Sequence, residues 1–383
     1  MLQSFIVYSL FAASLWWLGT ISASRERIYQ EKEKYLSFWV WDVVLALLIF
    51  AFISGIRWQV GVDHLSYLES YEQIKRGGEF RSSGVEVGFD FLTKLFAQLN
   101  IHFTFYFAFW AFLQLFFIYR AFKDERYLYP FLGMIIILGP HYLSWMNGMR
   151  QMLAVTMFVF SIQYIKNRKL IPYFITIFLA TLIHKSAILF LIFYFIPQKD
   201  YFKNRYINLG LLIVTLIMGL NPNWMQAFEY IERTLAVIGY DRYAERFDIM
   251  VEYRREMAIG PRRISILLLN ILTIWYSPKL KQVFKNTNYL IYFNFAFVGI
   301  LLYNLFANTS HIFLRPVSYF TIFLALTTAY LLYYLKPQKK YIVSLRFLIV
   351  FVVAISYMLL SVIADYGKGD MDWSNFKFFW NYV

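Results

Sequence analysis

Cysteine is absent from the 383 residues, which excludes any disulfide and any thiolate metal site. Also missing are a His-x-x-x-His pair, an Asp-rich cluster and a glycine-rich phosphate loop. Neither a metal nor a nucleotide site has positive support, and no cofactor is expected. Charge is scarce: Asp, Glu, Lys and Arg make up 16% of the chain against 60% hydrophobic residues, a balance no soluble protein shows. No repeat of hydropathy or motif of the kind usual in transporters is found. The apolar runs do not alternate as the strands of a membrane barrel do. The first of them, Leu2–Ile21, has no basic region before it and no small-residue cleavage site, and reads as a retained helix rather than a signal peptide.

What is present is a series of apolar runs of near-spanning length, so the expected class is an all-α, polytopic integral membrane protein forming a single transmembrane domain over residues 1–383. The net charge of +14 is divided among short loops, as membrane orientation requires, and does not point to nucleic acid. Leu36–Ile56 opens a polar outer region, residues 57–100, with amphipathic stretches Asp63–Arg76 and Val85–Leu99 separated by turn-forming glycines and serines. Ile101–Tyr119, Pro130–Leu143 and Met146–Ile165 follow; the charged RERIYQEKEK after the first run is read as an inner loop. A second outer loop, residues 221–263, mixes acids and bases as a solvated helix does. On either side of it stand Ile207–Leu220 and Ile264–Tyr276. Leu290–Phe306, Val317–Leu335 and Phe347–Ala364 complete the set, and an aromatic, acidic tail ends the chain.

The stretch Leu170–Ile196 organises the rest. It is apolar and long enough to span, yet His184, Lys185 and Ser186 sit near its middle, where ionisable groups are costly and tend to mark a function. Basic loops flank it on both sides: Lys166, Arg168 and Lys169 before it, Lys199, Lys203 and Arg205 after it. Both flanks carry the cytoplasmic signal. A break at His184 satisfies both; one continuous tilted helix is the alternative, favoured by the lack of Gly, Pro or Asn at the turn. With the break, every short Lys-rich loop falls inside and both long polar regions fall outside, giving about twelve passes, some short.

Candidate chemistry lies on the outer face. Arg150 is either a snorkelling flank residue or, with His184 and Arg315 on the same side, part of an anion site; guanidinium matches phosphate bidentately. Arg315 and Arg263 stand at helix starts, with flank and functional readings both open. His184 is a satisfied core histidine or a general base. Asp63 caps a helix or activates an acceptor, and Glu86 has the same ambiguity.

Taken together these residues resemble the EpsG group of Wzy-like polysaccharide polymerases. The elements are Arg57-Trp-Gln-Val-Gly61-Val-Asp63 with Tyr67, Glu86-Val-Gly88-Phe89, Arg150-Gln151, His184-Lys-Ser186-Ala-Ile, and Arg315 with Tyr319. Trp58 replaces the usual Tyr, Val62 stands where Thr is frequent, and His64 stands where an aromatic is common. The resemblance implies a multi-pass protein of the bacterial inner membrane, GT-C-like in build. Its implied activity is transfer of a growing glycan from undecaprenyl diphosphate to a new undecaprenyl-diphosphate-linked repeat unit on the outer face, without metal. In that reading His184, Asp63, Arg150 and Glu86 are catalytic, and Arg150, Arg315, Arg57 and Arg263 hold the diphosphate. Tyr67, Gln151, Ser186, Tyr319 and His311 contact substrate, and a chain-length regulator is an expected partner. An O-antigen ligase, a lipid-linked oligosaccharide flippase and a membrane acyltransferase are the rivals. A ligase would need a second acceptor, a flippase would move glycan without lengthening it, and an acyltransferase would need an acyl donor.

Overall fold

The structure, a computed structural model, describes residues 1–78, 86–221, 224, 259–309, 311–337 and 344–382. Nearly all of the expected second outer loop (221–263), the Ser82-Ser83-Gly84 turn, and Lys339 and Lys340 lie outside the described residues. The chain divides into two compact units, Met1–Gln198 with Ala329–Val383, and Lys199–Thr328.

In the first unit the helices are α1 (Leu2–Glu31), α2 (Trp41–Gly55), α3 (His64–Lys75), α4 (Val87–Gln98), α5 (Phe103–Ala121), α6 (Tyr129–Leu138), α7 (His141–Asn147), α8 (Met149–Lys166) and α9 (Leu170–Ile183). The second unit holds α10 (Arg205–Leu220), α11 (Pro261–Val283), α12 (Tyr289–Leu305) and most of α13 (His311–Leu335), and α14 (Leu345–Asp365) returns to the first. Local sequence sets many of these boundaries. Pro130 and Pro261 occupy first turns, where a missing N–H costs nothing. Asn204 caps α10 by accepting from the Tyr206 and Ile207 amides.

Four described helices are long and apolar enough to cross a membrane: Leu2–Glu31, Phe103–Ala121, Phe313–Leu335 and Leu345–Asp365. Arg126–Leu138 with His141–Asn147, bent by 63° at Gly139-Pro140, makes a fifth if counted as one span. Shorter apolar helices accompany them, among them Trp41–Gly55, Leu170–Ile183, Arg205–Leu220 and Tyr289–Leu305. The chain is a multi-pass, all-helical membrane protein.

Two features depart from the sequence reading. The inner loop expected after Ile21 is helix as far as Glu31: no Gly or Pro interrupts it, and an i,i+4 pair, Arg27–Glu31 at 3.0 Å, supports its end. The tail is ordered against the segment that follows α2. Its two-residue strand β2 (Lys377–Phe378) pairs antiparallel with β1 (Arg57–Trp58). The Gly61 amide donates to the Trp373 carbonyl at 3.1 Å, and Tyr382 stacks on Trp58 with ring centroids 5.9 Å apart.

At the organising stretch, α9 stops at Ile183 and His184 is extended (φ −149°, ψ 112°). A 3-10 helix, Lys185–Tyr194, then folds back along α9. Tyr173, in the first turn of α9, donates to the Phe190 carbonyl at 2.5 Å, and its ring lies 5.3 Å from that of Tyr194. Contacts between the start of one arm and the end of the other require a reversal of direction at His184. Fourteen residues of helix reach about 21 Å at the usual rise, short of the roughly 30 Å of a hydrocarbon core.

Candidate active site

The reversal delivers His184 to the end of α9, and α4 is laid beside it. Gly88 makes that approach possible: a Cβ there would lie 2.9 Å from the Leu182 Cβ and 3.0 Å from the Leu182 carbonyl oxygen. Glu86, at the N-cap of α4, is thereby pressed against the turn and is only 6% exposed. Arg150 arrives from a third element, in the first turn of α8.

The three side chains form one cluster within the first unit. Glu86 Oε2 accepts from Arg150 Nη1 at 2.5 Å, and Oε1 is hydrogen-bonded to His184 Nδ1. The same carboxylate accepts from the Lys185 backbone N–H. Burial alone would raise the Glu86 pKa, but the His184 bond and the Arg150 charge outweigh it and hold the carboxyl below its ordinary value. Arg150 is held from other directions too: its guanidinium lies 5.1 Å from the Phe89 ring centroid and 5.8 Å from that of Tyr67, whose hydroxyl is hydrogen-bonded to it. Neither side chain is sealed in. The Arg150 and His184 side chains retain 31% and 24% exposure, against 7% for Glu86. The carboxylate is the buried anchor, and the arginine and histidine face outward from it.

An ionised carboxylate only accepts, so the bond to Nδ1 fixes the proton on that nitrogen and makes Nε2 the basic nitrogen of the ring. Guanidinium beside it offers charge and paired donors to an anion. The arrangement can therefore take a proton and stabilise a developing negative charge in the same neighbourhood.

The other expected residues have varied places. Asp63 is exposed at the N-cap of α3, without a side-chain cap bond; its amide donates to the Asn147 side chain at 2.9 Å. Gln151 and Ser186 are half-buried, one residue after Arg150 and two after His184. Arg57 is placed differently from the expectation. It is fully buried, with its guanidinium donating to the carbonyls of Ser54, Val60 and Met146 and lying 4.9 Å from the Phe107 ring. Backbone oxygens take the donors that a diphosphate would need, so Arg57 clasps the end of α2 to the end of α7. His64 behaves as an aromatic: it stacks on Phe107 at 4.8 Å and is buried. Burial and Arg57 push its pKa well below the ordinary value.

The second unit holds Arg263, Arg315 and Tyr319. Arg263 is buried, donates to Asn304 Oδ1 at 2.8 Å and lies over the Tyr303 ring. Arg315 is exposed, one residue before Pro316 inside α13, and Tyr319 is buried one turn on. The backbone of His311 begins α13; its side chain lies outside what the structure describes. Sequence reasoning left Phe89 out of the site, although the last position of the Glu86-Val-Gly88-Phe89 element pointed to it.

No curated protein and no solved structure matches this chain. A family model does, over residues 40–378, a span that takes in Arg57, Glu86, Arg150, His184 and Arg315. The chain belongs to the EpsG family.

Proposed function

We propose that this protein is a polysaccharide polymerase of the Wzy type, a GT-C-like enzyme of about twelve passes in the bacterial inner membrane. It transfers a growing glycan from undecaprenyl diphosphate to a new lipid-linked repeat unit on the outer face. Family membership supports polysaccharide synthesis from lipid-linked saccharides. The observation that carries the reaction is the convergence of Arg150, Glu86 and His184 on one partly exposed cluster.

In this reading the acceptor hydroxyl sits against His184 Nε2. Its oxygen attacks the anomeric carbon of the donor sugar as the bond from that carbon to the diphosphate oxygen breaks. The hydroxyl proton passes to Nε2, and the electron pair of the broken bond leaves on the diphosphate. Glu86 keeps the imidazole in the required tautomer and stabilises the imidazolium that forms. Arg150 meets the charge growing on the leaving group; such a preorganised donor contributes about 3–4 kcal/mol. The donor is already activated by its diphosphate, so no nucleotide enters. Arg263 and Arg315 are further diphosphate-binding residues in this reading. Tyr67, Gln151 and Ser186 contact sugar, and Asp63 assists the acceptor. Chain length is set with a regulator protein.

Purified protein supplied with lipid-linked repeat units alone tests this. A ladder of lengthened lipid-linked glycans is expected. Transfer only when a second acceptor such as lipid A core is added would make it a ligase, and movement across vesicles without lengthening would make it a flippase.

A further inference from the structure

The described part of the second unit is almost devoid of negative charge. Asp200 is its one carboxylate among the described residues, since neither 201–221 nor 259–328 contains Asp or Glu. Asp200 is already matched: Lys281 Nζ donates to its Oδ1 at 2.6 Å and to the Phe202 carbonyl at 2.8 Å. A cleft of about 520 Å³ opens beside this pair between the start of α10 and the end of α11, lined by Lys203, Asn204, Arg205, Tyr206, Lys279 and Gln282. It has three cations and no anion.

Arg205 is fixed in place. Its guanidinium lies 4.1 Å from the Trp275 ring centroid and donates to the Tyr206 hydroxyl at 3.0 Å. Lys203 and Lys279 are exposed on either side. The first turn of a sixteen-residue helix adds its partial positive charge to the same place. Tyr206 and Trp275, 62% and 43% exposed, are the residue types that settle at headgroup level. Beyond them the same helices expose Ile207, Leu211, Leu268 and Ile271, an apolar path suited to acyl chains. The short basic loops here are those expected at the cytoplasmic face, whose leaflet is anionic.

We infer that this cleft is a binding site for the phosphodiester headgroup of an anionic phospholipid, held by Lys203, Arg205 and Lys279 and separate from the Arg150–Glu86–His184 cluster. The apolar path favours a lipid over free phosphate, because headgroup and chains are engaged together.

The test uses the full-length protein in nanodiscs of phosphatidylcholine with a minor fraction of phosphatidylglycerol, and native mass spectrometry of the lipid retained on release. A triple variant, Lys203→Gln with Arg205→Gln and Lys279→Gln, is compared with a control of equal charge loss at exposed positions of α1 and its C-terminal end, Arg27→Gln with Lys32→Gln and Lys34→Gln. About fivefold weaker retention of phosphatidylglycerol is expected per cation removed, about a hundredfold for the triple, and no change in the control. Should the triple variant fail to accumulate, Lys279→Gln alone must still show the fivefold loss. Equal retention in variant and control overturns the site, and displacement of the lipid by millimolar inorganic phosphate reassigns it to free phosphate.

Discussion

Glu86 and Arg150, 64 positions apart in the chain, meet through Oε2 and Nη1 at 2.5 Å, while the other oxygen of the same carboxylate engages His184. One buried acid thus fixes the geometry of two outward-facing side chains. Removing the arginine separates its electrostatic part from the rest. Arg150→Ala is expected to lower chain lengthening by about 10²–10³-fold while the protein still inserts and accumulates. Arg150→Lys should recover little, because a point charge cannot reproduce the paired donors or the contact with Phe89 and Tyr67. Glycan ladders from purified protein decide this, and wild-type ladders from Arg150→Ala would remove the residue from the site.

His184 and Glu86 make a second pair of variants whose difference is informative. His184→Gln should cost about 10²–10⁴-fold in rate, the contribution of a positioned general base. Glu86→Gln keeps the shape of the side chain and can still accept from Nδ1, but supplies no charge to stabilise the imidazolium. A drop in kcat with little change in KM is expected for it. An unchanged kcat alongside a raised KM would assign Glu86 to substrate binding instead.

Arg57 predicts the opposite phenotype to Arg150. Its donors go to three backbone carbonyls and it is fully buried. Arg57→Gln leaves buried carbonyls without partners at about 1–3 kcal/mol each. Reduced accumulation and a lower Tm are expected, measured by fluorescence size-exclusion of detergent extracts after heating. A stable but inactive Arg57→Gln protein would return this arginine to the substrate.

Much of this architecture was open to reading from residue order, and the reasons differ by element. Helix positions followed from apolar runs, because a membrane imposes length. The turn at His184 followed from charge, since basic loops on both sides of Leu170–Ile196 suit one face of the membrane. What could not be read was who pairs with whom. Glu86 lies 98 positions from His184, and nothing in either short motif states that one oxygen serves the histidine and the other Arg150. Arg57 shares a motif with Asp63, which groups it with the site in the sequence; only the path of the chain through β1 turns its guanidinium inward. The tail gave no periodic signal, as a strand of two residues cannot.

Glu86 also makes stability depend on pH, with a definite sign. Its carboxyl is held below the ordinary value in the folded protein, so it binds a proton less readily there than in the unfolded chain. Its contribution is present above the unfolded value of about 4.3 and is lost as pH falls through the lower folded value. The Tm difference between wild type and Glu86→Gln should narrow as pH falls below about 4.3 and through the lower folded value. A difference that does not change as pH falls through the acid range would mean the variant destabilises by packing rather than charge.

The tail supplies the last test, because it braces the loop that leads to the site. Tyr8 donates to the Ser374 carbonyl at 2.9 Å, and Asn375 accepts from Ser4 at 3.2 Å and donates to the Val362 carbonyl at 3.2 Å. The Phe379 amide donates to the Ile56 carbonyl at 3.1 Å, one residue before Arg57. These bonds tie α1, α14 and β1 to one short segment. Asn375→Ala should destabilise by about 1–3 kcal/mol through unpaired buried groups, seen as a lowered Tm. Tyr382→Ala removes only the stack on Trp58 and should leave accumulation near wild type while slowing chain lengthening, since Gly61 and Asp63 follow that strand directly. If Asn375→Ala and Tyr382→Ala both match wild type in Tm and in ladder length, the tail lies against the loop without holding it.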